Sequence, residues 1–157
     1  MGDQNNLDKP GIKVLSAGAI IGIFLAIVTA VGYHAAGSPA FCTACHSMKN
    51  VGKHWKQSFH KQFACIECHL PDSNIMMKVA YKTKAGLNDL YHETLRSYPA
   101  SIRISAEANG IAEGNCLRCH YSTVGNTFMA LEEGNCLKCH RRLVHGPVQE
   151  TGGIRVE

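Results

Sequence analysis

Cysteine and histidine recur in one spacing four times. Cys42-Thr-Ala-Cys45-His46, Cys65-Ile-Glu-Cys68-His69, Cys116-Leu-Arg-Cys119-His120 and Cys136-Leu-Lys-Cys139-His140 together use all eight cysteines of the chain. Two thiols with two residues between them can add to the two vinyl groups of a porphyrin. The residue that follows then lies beneath the iron, where an imidazole can ligate it. The pattern is that of c-type haem attachment, and four copies imply four haem c groups. The same cysteine pairs also fall near zinc-ribbon spacing, and disulfides would consume all eight thiols too. Neither alternative gives a reason for histidine after every pair. With nine histidines in 157 residues, four in four by accident has a probability on the order of 10⁻⁵.

Haems that only transfer electrons use two strong axial ligands. The motifs supply His69, His120 and His140, and His46 at the first motif. Five further histidines remain: His34, His54, His60, His92 and His145. His60, just upstream of the second motif, and His145, just before Gly146-Pro147, are the candidate distal ligands; a solvated loop histidine is the alternative for either. His54 and His92 stay open, and His34 suits a membrane interface. The first motif differs from the others, because it continues as His46-Ser47-Met48. A methionine two residues after the motif histidine can reach the same iron, and a soft thioether favours the ferrous state. Met48 could equally be a packing residue, so His46 and Met48 both stand as candidates there.

The elements that must position these groups follow from composition. The charged fraction is 18% and the hydrophobic fraction 45%, which excludes general disorder. The formal charge of +4 is too mild for a nucleic-acid partner, and haem propionates would offset it. Val14 to Tyr33 contains no charged residue; twenty helical residues span about 30 Å, the thickness of a bilayer's hydrocarbon core. Lys9 and Lys13 precede this stretch, and the next basic residue is Lys49. The positive-inside rule therefore makes 1–13 a cytoplasmic lead, 14–33 a transmembrane helix and 34–157 a periplasmic domain. A cleaved signal peptide is the rival, with Val28-Thr29-Ala30 as its cleavage site, but the apolar run exceeds the usual signal core.

Five Phe, five Tyr and one Trp are few for a conventional core, and with about 30 residues per haem the porphyrins must supply buried apolar area. Glu113-Gly-Asn-Cys116 recurs as Glu133-Gly-Asn-Cys136, 20 residues on, and the first two motifs lie 23 apart. This suggests two diheme halves joined by the segment 70–115. The fold class expected is mainly α with much irregular structure: one N-terminal transmembrane helix, short helices at the motifs, and one longer linker helix over 74–95 with Ser73 as N-cap. On that helix Lys78, Lys82 and Asp89 fall within about 40° of one another, beside an apolar stripe of Ile75, Val79, Gly86 and Leu90. An exposed charged face beside a core stripe is the ordinary explanation of such a pattern.

The single N-terminal span, four CxxCH motifs, CxxCHxM at the first and the short tail after the fourth resemble, over nearly the full length, the NapC/NirT/NrfH family of membrane-anchored multihaem quinol dehydrogenases. Within it the resemblance is closest to the NrfH branch, small subunits of cytochrome c nitrite reductase. That resemblance implies a quinol-oxidising first haem ligated by Met48 rather than His46, with no strong ligand on its other face. It implies that Lys82 and Asp89, in Lys82-Thr-Lys-Ala-Gly-Leu-Asn-Asp89, form the quinol site, and that His60 and His145 are distal ligands. It also leaves one haem without an in-chain distal histidine; in that branch the ligand is a lysine of the catalytic partner. The function so implied is a menaquinol dehydrogenase of the bacterial cytoplasmic membrane. It would pass electrons through four haems to a periplasmic reductase, first of all the pentahaem cytochrome c nitrite reductase of nitrite ammonification. Donation to another periplasmic reductase such as nitrate reductase, a soluble tetrahaem carrier released near Ala30, and a zinc-binding scaffold are the alternatives.

Overall fold

The computed structural model describes residues 9–131 and 135–147. The start of the lead, the Glu133-Gly134 half of the internal repeat and the tail beyond 147 lie outside the described residues. The chain divides into two compact units, Met1–Ala36 and Gly37–Glu157.

The first unit contains α1, Lys9–Ala35. From Gly11 to Ala35 its mean hydropathy is 2.5 and none of it is buried against the protein. A helix that is apolar on every side has no preferred inner face in water, which is the signature of a membrane span. The 25 residues of this segment rise about 37 Å, enough to cross a bilayer with some tilt.

The second unit is helical with long connections, and no β-strand occurs among the described residues. The first motif follows α2, Pro39–Cys42, whose N-cap Ser38 accepts from the Phe41 N–H at 3.3 Å. The chain then extends through Cys45 and restarts as a 3₁₀ turn, His46–Met48, that leads into α3, Lys49–Gln57. Gly52 of α3 lies so close to Thr43 that a side chain there would collide with the Thr43 methyl, so α3 folds back onto the first motif. The second motif is itself a helix, α4, Cys65–His69. The linker helix is α5, Ile75–Leu95, capped by Asn74, not by Ser73: the Asn74 Oδ1 accepts from the Met77 N–H at 3.0 Å. It ends at Arg96, which takes the left-handed conformation with φ 51°, and the Ser97 N–H closes back on the His92 carbonyl at 3.0 Å.

The third motif departs from the expected short helix. It lies inside α6, Ala106–Val124, which starts at Ser105, whose hydroxyl oxygen accepts from the Ala108 N–H at 3.2 Å. A good cap followed by helix-forming residues propagates through Cys116 and beyond. Two short helices, α7 (Phe128–Leu131) and α8 (Cys136–His140), complete the described chain. α4 packs against α6, so the two halves of the haem-motif region meet directly through the second and third motifs.

Side chains alone do not build a core here. Among the described residues the only buried hydrophobic side chains are Tyr98 and Ala112, while Phe41, Phe59, Tyr121 and Phe128 are exposed.

Candidate functional site

The first motif and α5 come together through charge and hydrogen bonding. Met48 is half-buried and His46 exposed. The Glu93 carboxylate accepts from the His46 N–H at 2.7 Å, the Ser47 N–H at 3.4 Å and the Ser47 hydroxyl at 2.7 Å. Desolvation pushes the Glu93 carboxyl up, but the hydrogen bonds from Ser47 and His46 outweigh it and hold it below the usual carboxylate range. The Cys42 thiol is held down to about 7, first by its hydrogen bond with Cys65; it also feels Lys82, which lowers it, and Asp89, which raises it. Cys45, raised by desolvation, feels Glu93 and Asp89 in turn. The residues Lys82, Asp89 and Glu93 of α5 therefore all act on the first motif. Desolvation lowers Lys82. Asp89 is exposed, yet the chain around it partly desolvates its carboxyl and raises it, with His92 and His69 pulling back. Lys78, expected on this face, instead pairs with Asp72 at 3.5 Å.

The four motifs form a series of neighbours. The Cys42 and Cys65 thiols hydrogen bond, linking first to second. Cys68 is raised by desolvation and then by Cys119, linking second to third. Cys116 is raised by desolvation and then by Cys136, linking third to fourth. The central junction is the most firmly built. Asn115 is 5% exposed, and its Nδ2 donates to the carbonyls of Cys68 and Leu70, both at 2.9 Å. Arg118 donates to the Glu67 carbonyl at 3.0 Å and pairs with Glu67 at 3.4 Å and Asp72 at 3.6 Å.

The histidines sort into facing pairs. His60 and His120 have ring centroids 6.2 Å apart, and His69 and His145 have theirs 5.7 Å apart with planes 8° from parallel. Two imidazoles on opposite faces of one metal, each with a bond of about 2 Å, place their centroids about 6 Å apart. Desolvation and then the charge of His69 hold His145 down to about 4; desolvation lowers His69 as well. His145 therefore stays neutral near pH 7, with a lone pair available to a metal. The His60 Nδ1 is buried and without a protein hydrogen-bond partner. Facing imidazoles, thiols in adjacent pairs and so few buried apolar side chains among the described residues all fit haem c groups. No group of three or more His, Cys, Asp or Glu among the described residues converges on a bare metal ion, as a zinc ribbon requires.

The remaining histidines have other surroundings. The His92 Nδ1 lies 2.6 Å from the Ser97 carbonyl. A side chain on Gly146, which has φ 68°, would come within 2.6 Å of the His54 ring, so His54 backs the turn that carries His145. His140 is exposed, and no ring pair among the described residues includes it. The sequence did not single out Glu93, Asn115 or Arg118. For Asn115 the signal was present, since the repeated Gly-Asn before a motif cysteine marks it.

The chain matches the model of the NapC/NirT cytochrome c family, N-terminal region, over residues 7–150. It is 32% identical over 124 residues to the cytochrome c nitrite reductase subunit NrfH of Nitratidesulfovibrio vulgaris, covering 78% of this chain and 77% of that one. It is 33% identical over 105 residues to the cytochrome c-type protein NrfH of Wolinella succinogenes, covering 65% and 59%. A probable tetraheme cytochrome c-type protein of Nitrosomonas europaea is 34% identical over 102 residues, covering 60% and 44%. The chain thus spans over three quarters of the first relative and less than two thirds of the other two. Among solved structures it is similar to a chain in the crystal structure of the cytochrome c nitrite reductase NrfHA complex bound to the HQNO inhibitor, with TM-score 0.74 and 29% identity, covering 92% of this chain and 99% of that one.

Proposed function

This chain belongs to the NapC/NirT cytochrome c family, and from that premise we propose that it is the membrane-anchored quinol dehydrogenase of a cytochrome c nitrite reductase complex. What supports this reading is that α5, which carries Lys82 and Asp89, is hydrogen-bonded to the first motif through Glu93, where the half-buried Met48 offers a thioether. Cys42/Cys45, Cys65/Cys68, Cys116/Cys119 and Cys136/Cys139 hold four haem c groups. When bound, these supply one-electron carriers between a two-electron quinol and the acceptor protein. His120 with His60, and His69 with His145, would hold haem iron through their imidazole nitrogens. Met48 serves the first motif in preference to His46. His140 serves the fourth, whose second ligand comes from the partner; the resemblance makes that ligand a lysine.

The chemistry of the protein's own residues is proton and charge handling. Oxidation of menaquinol releases two electrons and two protons. The raised carboxyl of Asp89 accepts a hydroxyl proton near neutral pH and, being exposed, passes it to water. The ammonium of Lys82 stabilises the quinol anion left behind. In this reading 1–13 is cytoplasmic, 14–33 crosses the membrane and 34–157 lies in the periplasm, where the nitrite reductase partner docks. Asp89→Asn in detergent-purified holoprotein is expected to slow oxidation of a menaquinol analogue about a hundredfold or more, on the order of what general-base catalysis contributes, with an intact mass that retains four haems. Wild-type turnover in that variant would overturn the proton-acceptor role. Failure of any multihaem reductase to co-purify under mild conditions would overturn the partner.

A further inference from the structure

We propose that Glu93 is a positioning residue that selects the axial ligand at the first motif, favouring Met48 over His46. The inference rests on the reading of Met48 as that ligand. The backbone sets the first motif apart. Cys65 to His69 and Cys136 to His140 are continuous helices, and Cys116 to His120 lies within α6. At the first motif α2 stops at Cys42, Cys45 is extended with φ −68° and ψ 145°, and the chain restarts as a 3₁₀ turn at His46. A helical restart leaves its first N–H groups without intrahelical partners, and here no capping side chain at Cys45 serves them.

Glu93 does so from 46 and 47 residues away. One carboxylate oxygen accepts both the His46 and Ser47 N–H groups, and the other accepts the Ser47 hydroxyl. Ser47 is 7% exposed, so these charge-assisted bonds are shielded from water at their inner end. The turn so held leaves the Met48 side chain half-buried; His46 is exposed, as the motif histidines His69, His120 and His140 also are, so it is the burial of Met48 and the break in the motif helix that set this site apart. The same bonds tie the turn to the face of α5 that acts on quinol. At 100° per residue, Lys82, Asp89 and Glu93 lie within about 40° of one another, and Asp89 is one turn, about 6 Å, from Glu93. One side chain thus fixes both the identity of the ligand and its register against Asp89.

The test compares variants of the full-length holoprotein in detergent, read by the ferric electron paramagnetic resonance spectrum and the redox titration of the first haem. Met48→Leu comes first, as the control on ligation: it must change the first-haem signal, and an unchanged signal would refute Met48 as ligand. Given that change, Glu93→Ala is expected to lose most of the wild-type first-haem signal, gain an imidazole-ligated one and lower the midpoint potential. Glu93→Gln keeps an oxygen for the two N–H groups and an amide for the Ser47 oxygen, so it should retain the wild-type signal. A wild-type signal and potential in Glu93→Ala would overturn the proposal. If Glu93→Ala does not retain four haems, Glu93→Asp decides, because it withdraws the carboxylate by one methylene and keeps its charge. Partial conversion of the signal supports ligand selection, and an unaltered signal overturns it.

Discussion

Asn115 offers a sharp test of how the second and third motifs are joined. Its amide donates to the carbonyls of Cys68 and Leu70 at the C-terminal end of α4, both at 2.9 Å, where helix carbonyls lack intrahelical partners. Asn115→Ala removes both donors from a site that is 5% exposed. At about 1 kcal/mol net per hydrogen bond, plus the desolvation left on two carbonyls, the expected loss is about 2–3 kcal/mol. Asn115→Asp keeps the shape but replaces the donor with an oxygen. A carboxylate oxygen would then face two carbonyl oxygens at hydrogen-bond distance in a buried site, so Asp should cost more than Ala, by about 1–3 kcal/mol further. Guanidinium unfolding of the detergent-solubilised holoprotein, followed by the low-spin haem bands, reads this order directly. If Asp is no worse than Ala, the side chain acts by filling space, and the hydrogen-bond reasoning fails.

Other expectations concern the remaining parts of the site. The proton-accepting form of Asp89 is the carboxylate, and desolvation raises its pKa; quinol oxidation should therefore rise with pH through that raised value and level off above it, a limb that Asp89→Asn should lack in stopped-flow measurements. Gly146→Ala places a methyl against the His54 ring at a φ of 68°; the low-spin signal of one bis-histidine haem should fall, and His54→Ala in the same chain should restore part of it by making room. Arg96 holds a left-handed conformation with φ 51° at the end of α5; Arg96→Gly should stabilise by about 0.5–1 kcal/mol, because glycine carries no Cβ penalty there, and a higher denaturant midpoint is the reading.

A cytochrome c was legible in the sequence, because thioether formation dictates the spacing of two cysteines and a histidine whatever the fold. α1 was legible because an uncharged run of twenty residues is long enough, as a helix, to cross a bilayer. The linker helix was legible in extent. Its cap moved by one residue because Asn74, not Ser73, stands three positions before the Met77 N–H. The pairing of histidines was not legible. His60 meets His120 and His69 meets His145 across long sequence separations, and only tertiary packing fixes such contacts. Glu93 looked like one more acid on a solvated face, since its partners at His46 and Ser47 lie in another segment. The internal repeat misled in a different way. Asn115 and Asn135 occupy equivalent places in it, yet Asn115 is buried within a long helix, while Asn135 is exposed at the start of a five-residue one.

The scarcity of buried apolar side chains, Tyr98 and Ala112 alone among the described residues, bears on how the protein is made. A chain with so little apolar contact of its own has little with which to collapse before its haem groups are in place, so its motif cysteines stay accessible until attachment. Iron supply and thioether ligation then become folding steps, and a cell short of haem would accumulate protease-sensitive precursor instead of an inactive but folded anchor.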